Sequence, residues 1–164
     1  MPSSPSPKTV LLIGASRGLG LAMVDEFLRQ GWNVVGTVRG VTRTKLHELK
    51  DAAGERLEIE TVDITVPDQI AALRSRLAGR SFDLLFVNAG VTNNPAETIA
   101  EVTTEEFVRV MVTNALRPMR VLEALAPLVP PHGILGLMSS GQGSGASSRR
   151  AGRGLRRADR RFAS

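Results

Sequence analysis

The residues with the clearest chemical purpose are Gly14-Ala15-Ser16-Arg17-Gly18-Leu19-Gly20, a G-x-x-x-G-x-G turn directly behind the apolar run Thr9 to Ile13. Glycines at these places let main chain approach a bulky anion closely. A helix starting at the turn adds unpaired N–H groups and the positive end of its dipole, so the chemistry on offer is the cradling of a pyrophosphate. Two arginines bear on which pyrophosphate. Arg17 lies inside the turn, and Arg39 lies 19 residues beyond Gly20 at the end of the next apolar run. A site for NAD typically carries an acid about 20 residues past the glycines to bind the ribose 2′-hydroxyl. Here two guanidinium groups could meet a 2′-phosphate instead. The pattern favours NADP(H) over NAD(H). Glycine turns also join strands to helices for structural reasons alone, and surface arginines are common, so the spacing leaves that plainer alternative open.

The local chemistry at Asn114 is also unusual, because Pro118 follows it by four residues. A proline cannot donate the N–H that would normally bond the Asn114 carbonyl, so a helix through both should kink and leave that carbonyl free, able to hold a water. A kink that merely fits the helix around a sheet is the equal alternative. Other chemistries are excluded more firmly. The chain has no cysteine, and its two histidines, His47 and His132, stand far apart without ligand spacing, so a metal site is not expected.

The elements that must position these residues alternate along the chain. Thr9 to Ile13 is a β-rich run of the kind buried on both faces of a parallel sheet. From Gly18 to Gln30 apolar residues recur at spacings of three and four, and Gly31 stands where a helix-ending glycine belongs. Further strands are expected at Asn33 to Val38, Leu57 to Val62, Leu84 to Val87 and Gly133 to Met138. Helices are expected at Arg43 to Ala53, from Pro67 to about Ala78, and from a Thr103/Glu106 capping box through to about Leu128. Five strands separated by crossover helices predict an α/β fold with a doubly wound parallel sheet.

At 164 residues the chain suits one such domain, spanning residues 8 to 143. Residues 1 to 7, rich in Pro and Ser, read as a disordered leader. Residues 144 to 164 read as a disordered tail of Arg, Gly, Ala and Ser. Seven arginines from Arg149 onward face a single acid, Asp159, so the net charge of +5 resides in that tail and the body is close to neutral. Clustered arginines attract phosphate, yet a tail with one aromatic and no stacking pattern disfavours nucleic acid as its partner. No apolar run approaches bilayer length and the leader has no apolar stretch, which points to a cytoplasmic protein without a membrane partner.

Together these residues resemble the short-chain dehydrogenase/reductase family, most closely its C-factor-like and carbonyl-reductase-like members, over about Lys8 to Gly143. Four features join the glycine turn: Asp63 with Ile64 after strand three, Asn88-Ala89-Gly90 after strand four, Asn114 within the long helix, and Ser140 after strand five. Singly, Asp63 could cap a turn, Asn88 to Gly90 could be a tight turn, and Ser140 could be one of many serines in a glycine loop. Two departures from the family pattern are minor: Ile13 replaces the usual Thr before the first glycine, and Val87-Asn88 replaces the usual asparagine pair.

The resemblance implies a Rossmann-like fold and cofactor contacts at Gly14, Ser16, Arg17, Gly18, Leu19, Gly20, Arg39, Asp63, Ile64, Asn88, Ala89 and Gly90. It implies catalytic roles for Asn114 and Ser140, and hydride transfer between NADP(H) and a small carbonyl or alcohol substrate. It also implies a Tyr-x-x-x-Lys pair that this chain lacks. There is no tyrosine at all, the last lysine is Lys50, and Arg153 falls thirteen residues after Ser140, where the tyrosine is due. An arginine stays protonated and cannot act as general acid. The sheet is then expected to be incomplete on its C-terminal side, with strand five an exposed apolar edge prone to self-association. This chain is expected to be without turnover, with a catalytically dead dinucleotide-binding module as the alternative. The abrupt change at about Ser144 suggests a shifted reading frame. Translating the coding DNA beyond that point in the other two frames should produce Tyr-x-x-x-Lys; finding it in neither rejects the idea.

Overall fold

The computed structural model describes residues 6–92, 94, 96–98 and 100–139. Five strands form one parallel sheet: β1 (Thr9–Ile13), β2 (Asn33–Val38), β3 (Leu57–Thr61), β4 (Leu84–Val87) and β5 (Ile134–Leu137), in the order β3-β2-β1-β4-β5. The helices are α1 (Gly18–Arg29), α2 (Lys45–Ala53), α3 (Pro67–Arg76), α4 (Thr104–Met111) and α5 (Arg117–Leu125). This is the Rossmann-like α/β arrangement that the alternating pattern predicts.

Why the strands read as unbroken apolar runs is clear from β1. Leu11 and Ile13 enter one core with Leu73, Leu85 and Val121, while Val10 and Leu12 enter the opposite core with Val24, Leu28 and Leu46. A strand covered on both faces has no polar side to show. β3 lies at the sheet edge and alternates instead. Leu57 and Ile59 turn to the second core, whereas Glu58 and Glu60 pair with Arg80 and Arg76 beyond the other face. Charged residues on an edge strand also discourage pairing with another chain.

Helix ends follow local chemistry. At the close of α1, Gly31 adopts φ 83, Trp32 N–H donates to Phe27 O, and Gly31 N–H donates to Leu28 O. This is a complete Schellman motif, with the expected apolar contact supplied by the Phe27 and Trp32 rings, 5.2 Å between centroids. Helix α2 starts at Lys45 rather than at Arg43, because Thr44 caps it together with His47, whose Nδ1 accepts from Thr44 N–H. Helix α3 begins at Pro67 as expected and ends at Arg76, two residues early.

The single long helix expected from Thr103 to Leu128 is corrected. Thr103 Oγ1 does accept from Glu106 N–H, but the Glu106 carboxylate turns to Arg109 instead of back to the cap. After α4 the residues Val112–Leu116 form a π segment in which Arg117 N–H donates to Val112 O, five residues back. Pro118 has no N–H to give, so the turn that would have lost a bond widens by one residue and α5 resumes beyond it. A short 3-10 turn at Ala126–Leu128 then ends the element.

β5 is the sheet edge opposite β3 among the described residues. Ile134, Leu135 and Leu137 are exposed there. No helix among the described residues is long and apolar enough to cross a membrane. Most of the expected leader, and the tail with Ser140 and Arg153, lie outside the described residues; Ser6 and Pro7 are exposed and without regular structure.

Candidate functional site

The strand order reverses between β1 and β4: the chain runs outward from β1 to β2 and β3 on one side, and from β4 to β5 on the other. Loops leaving the C-terminal ends of strands at such a switch point diverge to opposite faces and leave a crevice between them. Here that crevice is a cleft of about 1200 Å³, lined by the glycine turn, the ends of β2, β3 and β4, and the inner side of α4 and α5.

The glycine turn is held by contacts that only glycine allows. Gly14 adopts φ 91, and a Cβ on it would lie 2.7 Å from the Ala89 nitrogen. Its N–H donates to Thr37 Oγ1 at 2.9 Å, and Ala15 N–H donates to the Thr37 carbonyl at 2.8 Å. Asn88 Nδ2 donates to Gly14 O at 2.9 Å, while Asn88 N–H and Ala89 N–H both donate to Ile13 O. Gly20 completes the packing: a Cβ there would overlap the Gly14 carbonyl and lie 2.7 Å from Asn88 Nδ2. Gly18, at φ 57, has open space before it.

The start of α1 is therefore bare toward the cleft. Arg17 occupies the cap position with extended backbone and makes no side-chain cap bond, and no acid lies in the first turn. Orphan N–H groups and an unopposed helix dipole are what an anionic phosphate needs. Arg17 and Arg39, both exposed, line the same cleft, with Gly40, Thr42 and Thr44 beside them. The residues present fit a dinucleotide, since the acid-free start of α1 and two exposed guanidinium groups border one cleft.

Asp63 and Ile64 also line the cleft. Asp63 Oδ1 accepts from both Thr65 N–H and Thr65 Oγ1, so the carboxylate shapes its own turn while it borders the cleft. Asn114 serves as a strut. Its Oδ1 accepts from Val91 N–H at 2.8 Å and its Nδ2 donates to Val91 O at 2.7 Å, tying the π segment to the loop after β4. A Cβ at Gly90 would approach Asn114 Oδ1 at 3.1 Å, so a glycine suits this close passage. Nearby, the Arg109 guanidinium holds the Glu106 carboxylate below its ordinary range. Ser140 cannot be placed against these groups, because it lies outside the described residues.

Sequence reasoning passed over Thr37, which is buried and anchors the turn. Its signal is a hydroxyl within the apolar run Asn33 to Val38. It also passed over Arg117, which lines the cleft from the first turn of α5.

Comparison with known proteins agrees with this geometry. A short-chain dehydrogenase from Burkholderia multivorans, solved with bound NADP, shares 63% identity and superposes with a TM-score of 0.81, over 85% of this chain and 62% of its own. A carbonyl reductase from Pseudomonas aeruginosa, in complex with NADP, shares 35% identity with a TM-score of 0.82, over 89% of this chain and 64% of its own. An NADPH-dependent pterin aldehyde reductase of Arabidopsis thaliana is 31% identical over 145 residues, 85% of this chain and 60% of its own. The chain thus spans rather less than two thirds of the length of these relatives. The family model described as short chain dehydrogenase matches residues 8–149, and with the parallel sheet, the switch-point cleft and the glycine turn all inside that span, this chain belongs to the short-chain dehydrogenase family.

Proposed function

We propose that the cleft binds NADP(H) and that the chain belongs to an oxidoreductase moving hydride between that dinucleotide and a small carbonyl or alcohol. The N-terminus of α1, glycine-lined, free of acids and without a side-chain cap among the described residues, carries this reading, because it offers N–H donors to an anion. The NADP-bound neighbours support it. The glycine turn would hold the pyrophosphate, Arg17 and Arg39 the 2′-phosphate, and Asp63, Ile64 and Asn88 to Gly90 the adenosine half. When bound, the dinucleotide supplies or accepts the hydride. Asn114 holds the loop after β4 against the π segment, and Ser140 would polarise the substrate carbonyl.

The family's proton donor is a tyrosine, and these 164 residues contain none. That observation favours a second reading, in which these residues bind the dinucleotide without turning it over.

Titration of NADPH and NADH against the chain, followed by fluorescence, should give saturable binding with NADPH the tighter. Saturation with neither rejects both readings. A panel of small carbonyls assayed with NADPH should show no turnover above a protein-free control; turnover would reject the second reading and require a different proton donor.

A further inference from the structure

We infer that Arg117 is a further dinucleotide-contacting residue, donating from the inner wall of the cleft to the adenosine half; the inference rests on the dinucleotide reading above. Arg117 opens α5 on the stripe that faces the sheet, one turn beyond buried Thr113 and one before buried Val121. Its Nε and Nη1 are shut off from solvent and have no hydrogen-bond partner among the described residues. The other cleft arginines differ: Arg109 pairs with Glu106, while Arg17 and Arg39 are exposed.

A guanidinium cannot shed its proton to escape this position. Buried donors left without acceptors are costly, most of all on a charged group, so the arrangement makes sense if something else brings the acceptors. Asp63 and Glu105 share the cleft, yet neither forms an ion pair with Arg117 among the described residues. The same cleft also carries apolar side chains, Ile64, Ala89 and Val112 among them. A cleft wall with apolar side chains and a planar cation suits a flat, nitrogen-bearing aromatic ring, which can accept from the N–H groups or stack on the guanidinium plane. Adenine is that kind of ring, and Asp63 and Ile64, proposed above for the adenosine half, line the same cleft as Arg117.

The test uses the whole chain, with NADPH and 2′,5′-ADP as probes. Arg117→Met keeps the apolar stem and removes the charge, and Arg117→Lys keeps the charge without the planar fork. Both probes should bind Arg117→Met about tenfold or more weakly. The unliganded variant should meanwhile unfold at the same temperature as the parent or higher, since two solvent-shielded donors without partners among the described residues have gone. Arg117→Lys should fall between, and it decides the matter if Arg117→Met does not fold. Unchanged affinity in the folded variants overturns the inference while leaving the dinucleotide reading intact, whether or not stability falls. Failure of the parent chain to bind either probe overturns both.

Discussion

Gly20→Ala is expected to abolish saturable dinucleotide binding and to destabilise the chain by about 3 kcal/mol or more, the upper end of what overpacking costs. The added Cβ would overlap the Gly14 carbonyl and press on Asn88 Nδ2. Both of those atoms are backbone or held by backbone: Gly14 is tied to Thr37 and Asn88, and Asn88 to Ile13. Nothing can give without moving α1 away from the turn, and moving α1 takes its N–H groups from the phosphate position. Gly18→Ala is the informative contrast. It meets open space, so its cost is confined to the left-handed backbone at φ 57, about 1–2 kcal/mol. Urea unfolding of the two variants should rank Gly20→Ala well below Gly18→Ala. The reverse order would mean that close packing of turn and helix does not set the role of these glycines.

Arg39→Asp should have the second large effect, and a selective one. Arg39 is exposed at the mouth of the cleft, where a 2′-phosphate would meet it and a 2′-hydroxyl would have little use for it. Replacing the guanidinium by a carboxylate removes charge-assisted bonds worth roughly 1.5–3 kcal/mol each and adds repulsion, so NADPH affinity should fall on the order of tenfold to a hundredfold. NADH should be nearly unaffected or bind slightly better, because an acid near this place can accept from the ribose hydroxyl. The NADPH loss should shrink as salt is raised, since an exposed charge is screened. Equal weakening of both cofactors by titration would show that Arg39 does not discriminate between them.

Different parts of the molecule were legible to different degrees. β1 and β4 could be read directly, because strands buried on both faces show unbroken apolar runs wherever they sit. The end of α1 was equally plain, since Gly31 with Phe27 and Trp32 is a local motif that needs no distant partner. The break within the long helix was half legible. Pro118 announces a lost bond near Asn114, but a kink and a widened turn remove it equally well. The structure takes the widened turn, with Thr113 within it and Val121 beyond it both buried. Glu106 is similar: its spacing from Thr103 promises a reciprocal cap, and only the position of Arg109 draws the carboxylate away.

The site divides along the same line. Glycines at 14, 18 and 20 and Arg39 can be read from residue type and position, whereas Asp63 and the Asn88 to Gly90 segment can be read only through the family resemblance; all of them stand at strand ends, which a parallel sheet gathers on one edge. Sequence alone determined the parallel α/β fold, the glycine turn at the start of α1 and the basic residues beside it, since all three are written in short-range patterns. Only the tertiary structure decided that Thr37 anchors Gly14 from 23 residues away, that Asn114 braces Val91, and that Arg117 lines the cleft with donors unpaired among the described residues. Those roles depend on which strands and helices lie side by side, and adjacency across the switch point arises when the two cores close, so no local spacing encodes it.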